Sequence, residues 1–261
     1  MENNQYWYFY ALLVARYVII AGLAFLVFYR LFPARFARLK IQRLSPKRQD
    51  YVREVGYSFL TFFIFAAVGV LLVSSAVRPY TQLYGHVSDY GWGYFALSVV
   101  LALLIHDTYF YWTHRLMHHP RLFRLLHLTH HRSVNPSPWA AFAFSPLEAV
   151  VEAGVIIVIV VLIPIHEYAI LLFLLLMTIY NVNGHLGYEI YPKWVVSSRL
   201  GRWLNTSTNH NMHHKFFKGN YGLYFRFWDE LMKTTHPHYD QTLARLVSPE
   251  QEQTATAAQV Q

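Results

Sequence analysis

The chain has 261 residues, of which 55% are hydrophobic, 18% aromatic and only 14% charged. Soluble domains carry about 25% charged residues, so this composition argues against an ordinary water-soluble domain, and the long apolar runs point to lipid contact. The formal net charge of +8 would suit nucleic acid or an anionic membrane. Because the basic residues lie beside apolar spans, the membrane is the expected partner and no nucleic acid is expected. With no cysteine, disulfides and thiolate metal sites are excluded. The polar start MENNQ and the lack of a small-residue cleavage site predict no cleavable signal peptide.

In chain order, the first apolar segment runs from about Trp7 to Phe32 and is interrupted by Arg16, which either snorkels or faces protein. Eight Lys and Arg residues follow between Arg30 and Arg53. A second span covers about Gly56 to Val77, and a third begins near Gly91, stays apolar to Ile105 and is predicted to continue as helix through the first histidines. A histidine-rich block from His106 to Ser145 precedes a second apolar block, about 147–182, broken at Pro164-Ile-His-Glu. Each half of that block is at the short end for a spanning helix and is read as one arm of a hairpin. The predicted organisation is 1–105 for the N-terminal spans, 106–238 for the histidine-rich region with its hairpin, and 239–261 for a polar C-terminal tail. The tail ends in SPEQEQTATAAQVQ, whose composition predicts disorder.

The positive-inside rule places the Arg30–Arg53 loop in the cytoplasm. The third span and the returning hairpin then deliver both histidine blocks to that same side. The predicted fold class is therefore an all-α integral membrane protein, with four to five membrane-embedded helices and a cytosolic histidine-rich cap.

Fifteen histidines are present, and three groups stand out: His114-Arg-Leu-Met-His118, His127-Leu-Thr-His130-His131 and His210-Asn-Met-His213-His214. On a helix, positions i, i+3 and i+4 fall within an arc of about 100°, so each box is expected to aim two or three imidazoles in one direction. Neutral imidazole suits iron, zinc, copper or nickel. Eight such side chains exceed what one ion takes, so two ions are expected.

Asp107 precedes His114 by seven residues and His118 by eleven, on one helical stripe. There it is placed to accept the second ring N–H of a ligand histidine. Glu148 and Glu152 open the apolar hairpin, where a carboxylate is either functional or snorkelling, and Glu148 is read as supporting the ligands. His185 emerges at the end of the hairpin with Asn181 one turn earlier. The spacing does not assign His106 or His236 to a metal, and places His119 at the surface. Tyr109, Tyr111, Trp112, Trp139, Phe142 and Phe144 are candidates to line an apolar route to the site. No H-E-x-x-H, Walker A or G-x-G-x-x-G motif occurs, which excludes the common zinc protease, nucleotide and dinucleotide signatures. A metal transporter would place its ligands near mid-bilayer, and a b-type cytochrome needs single histidines on facing spans; the boxes suit neither.

The runs HDTYFYWTHRLMHH, HLTHHRSVNPSPWAAFAFSPLEA, NGHLGYEIYP, HNMHH and NYGLYFRFWD, in this order between His106 and Thr235, resemble the fatty acid hydroxylase / sterol desaturase superfamily, most closely its sterol C5-desaturase-like branch. The resemblance implies a four-helix membrane bundle with a cytosolic cap holding two irons, for which zinc can substitute in purified protein. It implies the ligand set His114, His118, His127, His130, His131, His185, His210, His213 and His214. Some members have a histidine where this chain has Asn181, which implies water held by the amide at that position. It also implies O2-dependent hydroxylation or desaturation of a lipid, sterol or fatty-acyl in type, in the bacterial inner membrane or endoplasmic reticulum. Electrons are then expected from a separate cytochrome b5-, ferredoxin- or reductase-type protein, because nothing in the chain resembles a fused haem domain.

Overall fold

The computed structural model describes residues 2–248, and it is helical apart from one pair of two-residue strands. Helix α1 covers Glu2–Phe25 and runs on as a π-helical turn, Leu26–Leu31. Then come α2 (Arg48–Val73), β1 (Leu83–Tyr84), α3 (Gly91–Met117), α4 (Pro120–Leu126) and α5 (Leu128–His131). The hairpin is α6 (Pro146–Leu162), β2 (Ile165–His166) and α7 (Glu167–Gly184), broken where Pro164 predicts. The cap is completed by α8 (Lys193–Val196), α9 (Ser207–Phe216), α10 (Phe227–Leu231) and α11 (Tyr239–Val247).

Among the described residues, four helices are long and apolar enough to cross a membrane: Asn4–Leu31, Arg48–Val73, Gly91–Met117 and Glu167–Gly184. The 17-residue α6 is also apolar but shorter. Large apolar side chains such as Ile19, Leu23, Leu71, Val100, Leu104 and Leu162 are exposed on the outside of the bundle, as expected where the solvent is lipid. The chain is an all-α integral membrane protein. Inside, Tyr17, Ala21, Phe62, Ala66 and Phe142 form one core between α1, α2 and the turn before α6. Val99, Ala102, Val155, Ile159 and Phe173 form a second core among α3, α6 and α7. Alanine at the crossings lets the backbones approach closely.

The two ends of the bundle differ. At one end β1 pairs in parallel with β2, and Arg78 forms a 2.7 Å ion pair with Glu167. At the other end the basic loop before α2 meets the histidine-rich cap. Ile41 N–H donates to the Gly187 carbonyl at 3.0 Å, Glu189 N–H to Leu39 at 2.8 Å, and Gln42 Nε2 to Asn211 Oδ1 at 2.9 Å. The basic loop and both histidine blocks therefore share one end of the bundle.

Buried Glu54 on α2 accepts hydroxyl hydrogen bonds from Ser133 and Ser137, which anchors the segment leaving the second histidine box. The expected tail is shorter than 239–261. Tyr239–Val247 is helical and sends buried Tyr239 and Leu246 into the cap, with the Arg226 guanidinium 4.3 Å from the Tyr239 ring centroid. Polar residues on its outer face make this amphipathic helix read as tail by composition. Residues 249–261 lie outside the described residues.

Candidate metal centre

Helix α3 is about 40 Å long at 1.5 Å per residue, longer than the roughly 30 Å hydrocarbon layer. Its last turns therefore carry His114 and His118 beyond the apolar span. After α3 the chain turns through α4, which starts at Pro120, a residue suited to a helix's first turn. His127 then leads into the four-residue α5 with His130 and His131. His185 follows the end of α7, and α9, capped by the Thr206 hydroxyl on Asn209 N–H, carries the last box.

These segments bring nine histidines into two adjoining groups. His114, His118, His127, His131 and His213 form one, and His130, His185, His210 and His214 the other; within each group the candidate ligand atoms lie within 4.8 Å of one another. All are buried except His118, which is partly exposed.

Of the two or three imidazoles that each box is expected to aim in one direction, the first box aims both and each three-histidine box aims two. In the second box His127 and His131 enter the five-histidine group and His130 the other; in the third, His210 and His214 enter the four-histidine group and His213 the other. Helical geometry is the reason. Position i+4 lies about 40° past i, whereas i+3 lies about 60° short of it. The i and i+4 rings thus converge, and the i+3 ring points about 100° from i+4. Each three-histidine box bridges the two groups.

Second partners set the direction of the rings. Nδ1 of His114 donates to the Tyr221 carbonyl at 2.9 Å, that of His127 to Glu148 Oε1 at 2.6 Å, and that of His213 to the Gly219 carbonyl at 2.7 Å. In the second group, His185 Nδ1 donates to the Asn181 carbonyl at 2.7 Å. With the proton on Nδ1, Nε2 carries a lone pair. The Nε2 atoms of His118 and His131 lie 3.1 and 3.0 Å from that of His213. Those of His130, His210 and His214 lie 3.2, 3.0 and 3.2 Å from that of His185. The single Nε2 lone pair of His213 or His185 can accept from only one of the two or three Nε2 atoms crowded on it. The Nε2 atoms of His114 and His127 are buried with no hydrogen-bond partner among the described residues. This donor set fits cations, one within each group, held by imidazole nitrogen alone.

Electrostatics reinforces the fit. Burial, followed by neighbouring imidazoles, holds the pKa values of His127, His130, His131, His210, His213 and His214 well below the usual histidine range. Burial brings His118 to about 2 and His185 to about 4. The rings are therefore neutral at pH 7, the state that binds metal.

The remaining candidates separate. Glu148 holds His127, as expected of a carboxylate supporting a ligand. Asp107 does not hold a ligand ring. Its Oδ1 accepts the backbone N–H groups of Tyr224 and Phe225 at 2.8 and 3.1 Å. It lies three residues before Phe110, whose ring packs on His114, but its own carboxylate is taken by the 220–225 strap that crosses α3. That strap is held at its other side by Asp229, which accepts Tyr221 and Gly222 N–H, and it presents the Tyr221 carbonyl to His114. Asp107 therefore acts on the site through the strap.

Asn181 donates Nδ2 to the Ala141 carbonyl at 2.6 Å and lines an internal cavity beside the four-histidine group. His106 belongs to neither group; its Nδ1 pairs with the Tyr224 hydroxyl at 2.8 Å. His119 is exposed, and His236 stacks on Phe216 at 4.5 Å, away from both groups.

Sequence reasoning missed the backbone acceptors. Gly219 supplies one of them, at φ +77°, where an added Cβ would lie 2.6 Å from the Thr234 carbonyl oxygen. A glycine in a polar loop is the only signal of it, and that signal is not specific.

An apolar cavity of about 510 Å³ runs inside the membrane bundle between α1, α2, α6 and α7. Its inner end abuts both groups: Phe110 packs on His114 at 4.8 Å, Phe144 on His130 at 5.2 Å, and Asn181 lies one turn before His185. Phe142 and Phe144 line it as expected, but Tyr109, Tyr111, Trp112 and Trp139 do not. Tyr109 and Tyr111 instead hydrogen-bond Val151 and Thr234, Trp112 is exposed, and Trp139 packs edge-on against Tyr17.

The fatty acid hydroxylase family model matches residues 99–234, the stretch holding all nine histidines. The chain is 32% identical over 177 residues to the Delta(7)-sterol 5(6)-desaturase ERG3B of Gibberella zeae, covering 68% of this chain and 53% of that protein. It is 31% identical over 173 residues to the Delta(7)-sterol 5(6)-desaturase erg3C of Aspergillus fumigatus, covering 59% and 52%. It is 29% identical over 181 residues to the lathosterol oxidase of Homo sapiens, covering 69% and 59%. The chain thus spans about half the length of the curated relatives it matches. No solved structure matches it. By the match across its histidine-bearing half, the chain belongs to the fatty acid hydroxylase family.

Proposed function

We propose that this chain is a membrane-bound di-iron oxygenase that hydroxylates or desaturates a lipid of sterol or fatty-acyl type, using O2 and electrons from a separate protein. One observation carries the reading: two groups of five and four neutral imidazoles stand at the inner end of an apolar cavity within a membrane bundle. The relatives named as sterol desaturases and lathosterol oxidase support a sterol-type substrate and desaturation.

In this reading His114, His118, His127, His131 and His213 hold one iron, and His130, His185, His210 and His214 the other. Two irons supply the activation of O2 that an unactivated C–H bond requires. The chain's residues do the rest. Glu148 and the Tyr221, Gly219 and Asn181 carbonyls keep Nδ1 protonated and the rings in register. The cavity admits an apolar substrate from the bilayer and excludes water. Phe110 and Phe144 separate the substrate body from the imidazoles, so only a narrow part of it approaches the site. Asn181 precedes His185 by one turn and lines the cavity, and with Nδ2 donating to Ala141 only its Oδ1 remains to hold a water in this reading.

The catalytic face is cytoplasmic in this reading, supported by the basic loop packed at the histidine end. That loop's Lys and Arg side chains offer an acidic electron carrier a complementary surface. A transporter fits poorly because the histidines lie at helix ends, and bis-histidine haem ligation fits poorly with groups of five and four.

The test is elemental analysis of the detergent-purified protein beside a His130→Ala, His213→Ala double variant. About two ions per wild-type chain, lost in the variant, support the site, and zinc in place of iron would require iron to be restored before assay. A folded protein that takes up no metal overturns the reading.

A further inference from the structure

The cavity contains a cation with no counterpart. Arg16 lies in the middle of α1 and lines the cavity, and its Nε and Nη2 atoms are buried without a hydrogen-bond partner. Among the described residues no ion pair or hydrogen bond reaches its guanidinium. The cavity's other charges do not serve it: Arg78 and Glu167 at the distal mouth pair with each other at 2.7 Å, and Glu152 forms no ion pair with Arg16.

Snorkelling does not resolve this. Arg16 lies twelve residues past Asn4, where the span begins, or roughly 18 Å along the helix at 1.5 Å per residue. Its guanidinium does not extend to head groups at that face, since Nε and Nη2 are both buried inside the bundle. A charge within a bilayer is costly and marks a functional position by default, and a guanidinium presents a planar fork matched to carboxylate, phosphate or sulfate oxygens.

We propose that Arg16 is a specificity-determining residue that binds the acidic group of an otherwise apolar ligand, an amphiphile carrying a carboxylate, sulfate or phosphate. The assignment deepens the substrate side of the oxygenase reading and rests on it for the ligand's role as substrate. With the acid held at Arg16, the rest of the cavity, on toward Phe142, Phe144 and Asn181, takes the apolar body. The length between the acidic group and the histidine end then sets which carbon reaches the site. Arg16 acts here by position, and its distance along the cavity leaves it no part in the chemistry.

The experiment is equilibrium binding to the purified full chain in detergent, without O2 or reductant. Palmitic acid is compared with hexadecanol, and cholesterol sulfate with cholesterol, each competing against its own radiolabelled acidic form. At least one acidic probe is expected to bind tenfold or more tightly than its neutral partner. That preference should vanish in Arg16→Met and persist in part in Arg16→Lys, which keeps the charge and controls for folding. Neutral and acidic partners binding equally in the wild type, or a preference that survives Arg16→Met, overturns the proposal. Because the readout needs no turnover, it separates from the oxygenase reading: acid selectivity in a protein that never oxidises a lipid would leave Arg16 assigned and sink only that reading.

Discussion

Glu148 Oε1 accepts a hydrogen bond from His127 Nδ1 at 2.6 Å, with both side chains buried. The carboxylate sits at the first turn of α6, and the imidazole between two short helices of the cap. One contact therefore ties the membrane hairpin to the five-histidine group and sets which nitrogen of His127 faces inward. Removing such a partner typically costs 10- to 100-fold in metal affinity or activity. Glu148→Ala is expected to lose about that factor in metal affinity, while Glu148→Gln, whose amide oxygen still accepts, loses less. Chelator competition measures both, and equal losses would argue against a role through the hydrogen bond.

The division of the boxes predicts a selective effect. His213→Ala touches the five-histidine group and His210→Ala the four-histidine group, although the two residues are neighbours on α9. Each substitution is expected to lower the metal content from about two ions per chain to about one, and the double variant to near none. Loss of all metal in each single variant would mean the two groups act as one.

Asp107 holds the strap by accepting two backbone N–H groups. Asp107→Asn keeps an accepting oxygen and should retain most activity and metal. Asp107→Ala leaves buried N–H groups unpartnered, at about 1–3 kcal/mol, and releases the strap whose Tyr221 carbonyl orients His114. A lower unfolding temperature with reduced metal retention is expected for Asp107→Ala alone. Equal damage from both variants would point to a role for the negative charge.

The depressed histidine pKa values set the pH response of chelator-stripped protein. An unfolded histidine binds a proton below about pH 6.5, whereas His185 in the fold does so only near 4 and His118 near 2. The unfolded state then holds more protons, so stability is fully present above about pH 6.5 and falls as pH drops toward 4. Tryptophan-fluorescence melts between pH 7.5 and 4.5 should show this loss. His185→Gln, with one group fewer, should flatten the slope.

Gly219 adopts a left-handed backbone that offers its carbonyl to His213. Gly219→Ala should cost about 1–3 kcal/mol for the strained conformation and also weaken metal binding through His213. An unchanged melting temperature together with unchanged metal content would count against this account.

Much of the architecture was legible in the residues. Hydropathy marked the spans, Pro164 marked the break in the hairpin, and the excess of Lys and Arg before α2 predicted that both histidine blocks share one end of the bundle. The spacing of His114, His118 and the two H-x-x-H-H boxes picked out eight of the nine histidines that the fold gathers into two groups. The C-terminal helix was missed although Tyr239, Leu243, Leu246 and Val247 recur at helical spacing, because this short stretch runs straight into the polar SPEQEQTATAAQVQ. The role of Asp107 was misread because helical spacing shows which face a side chain shares, and not which neighbour arrives there first.

The sequence by itself determined the solvent of the protein, the order of its spans and the histidine boxes, since these follow from composition and local periodicity. Only the tertiary structure decided how the histidines divide, which carbonyls hold their rings, and that Arg16 faces a cavity without a partner. Those facts depend on segments far apart in the chain, and backbone carbonyls carry no residue identity from which a sequence could disclose them.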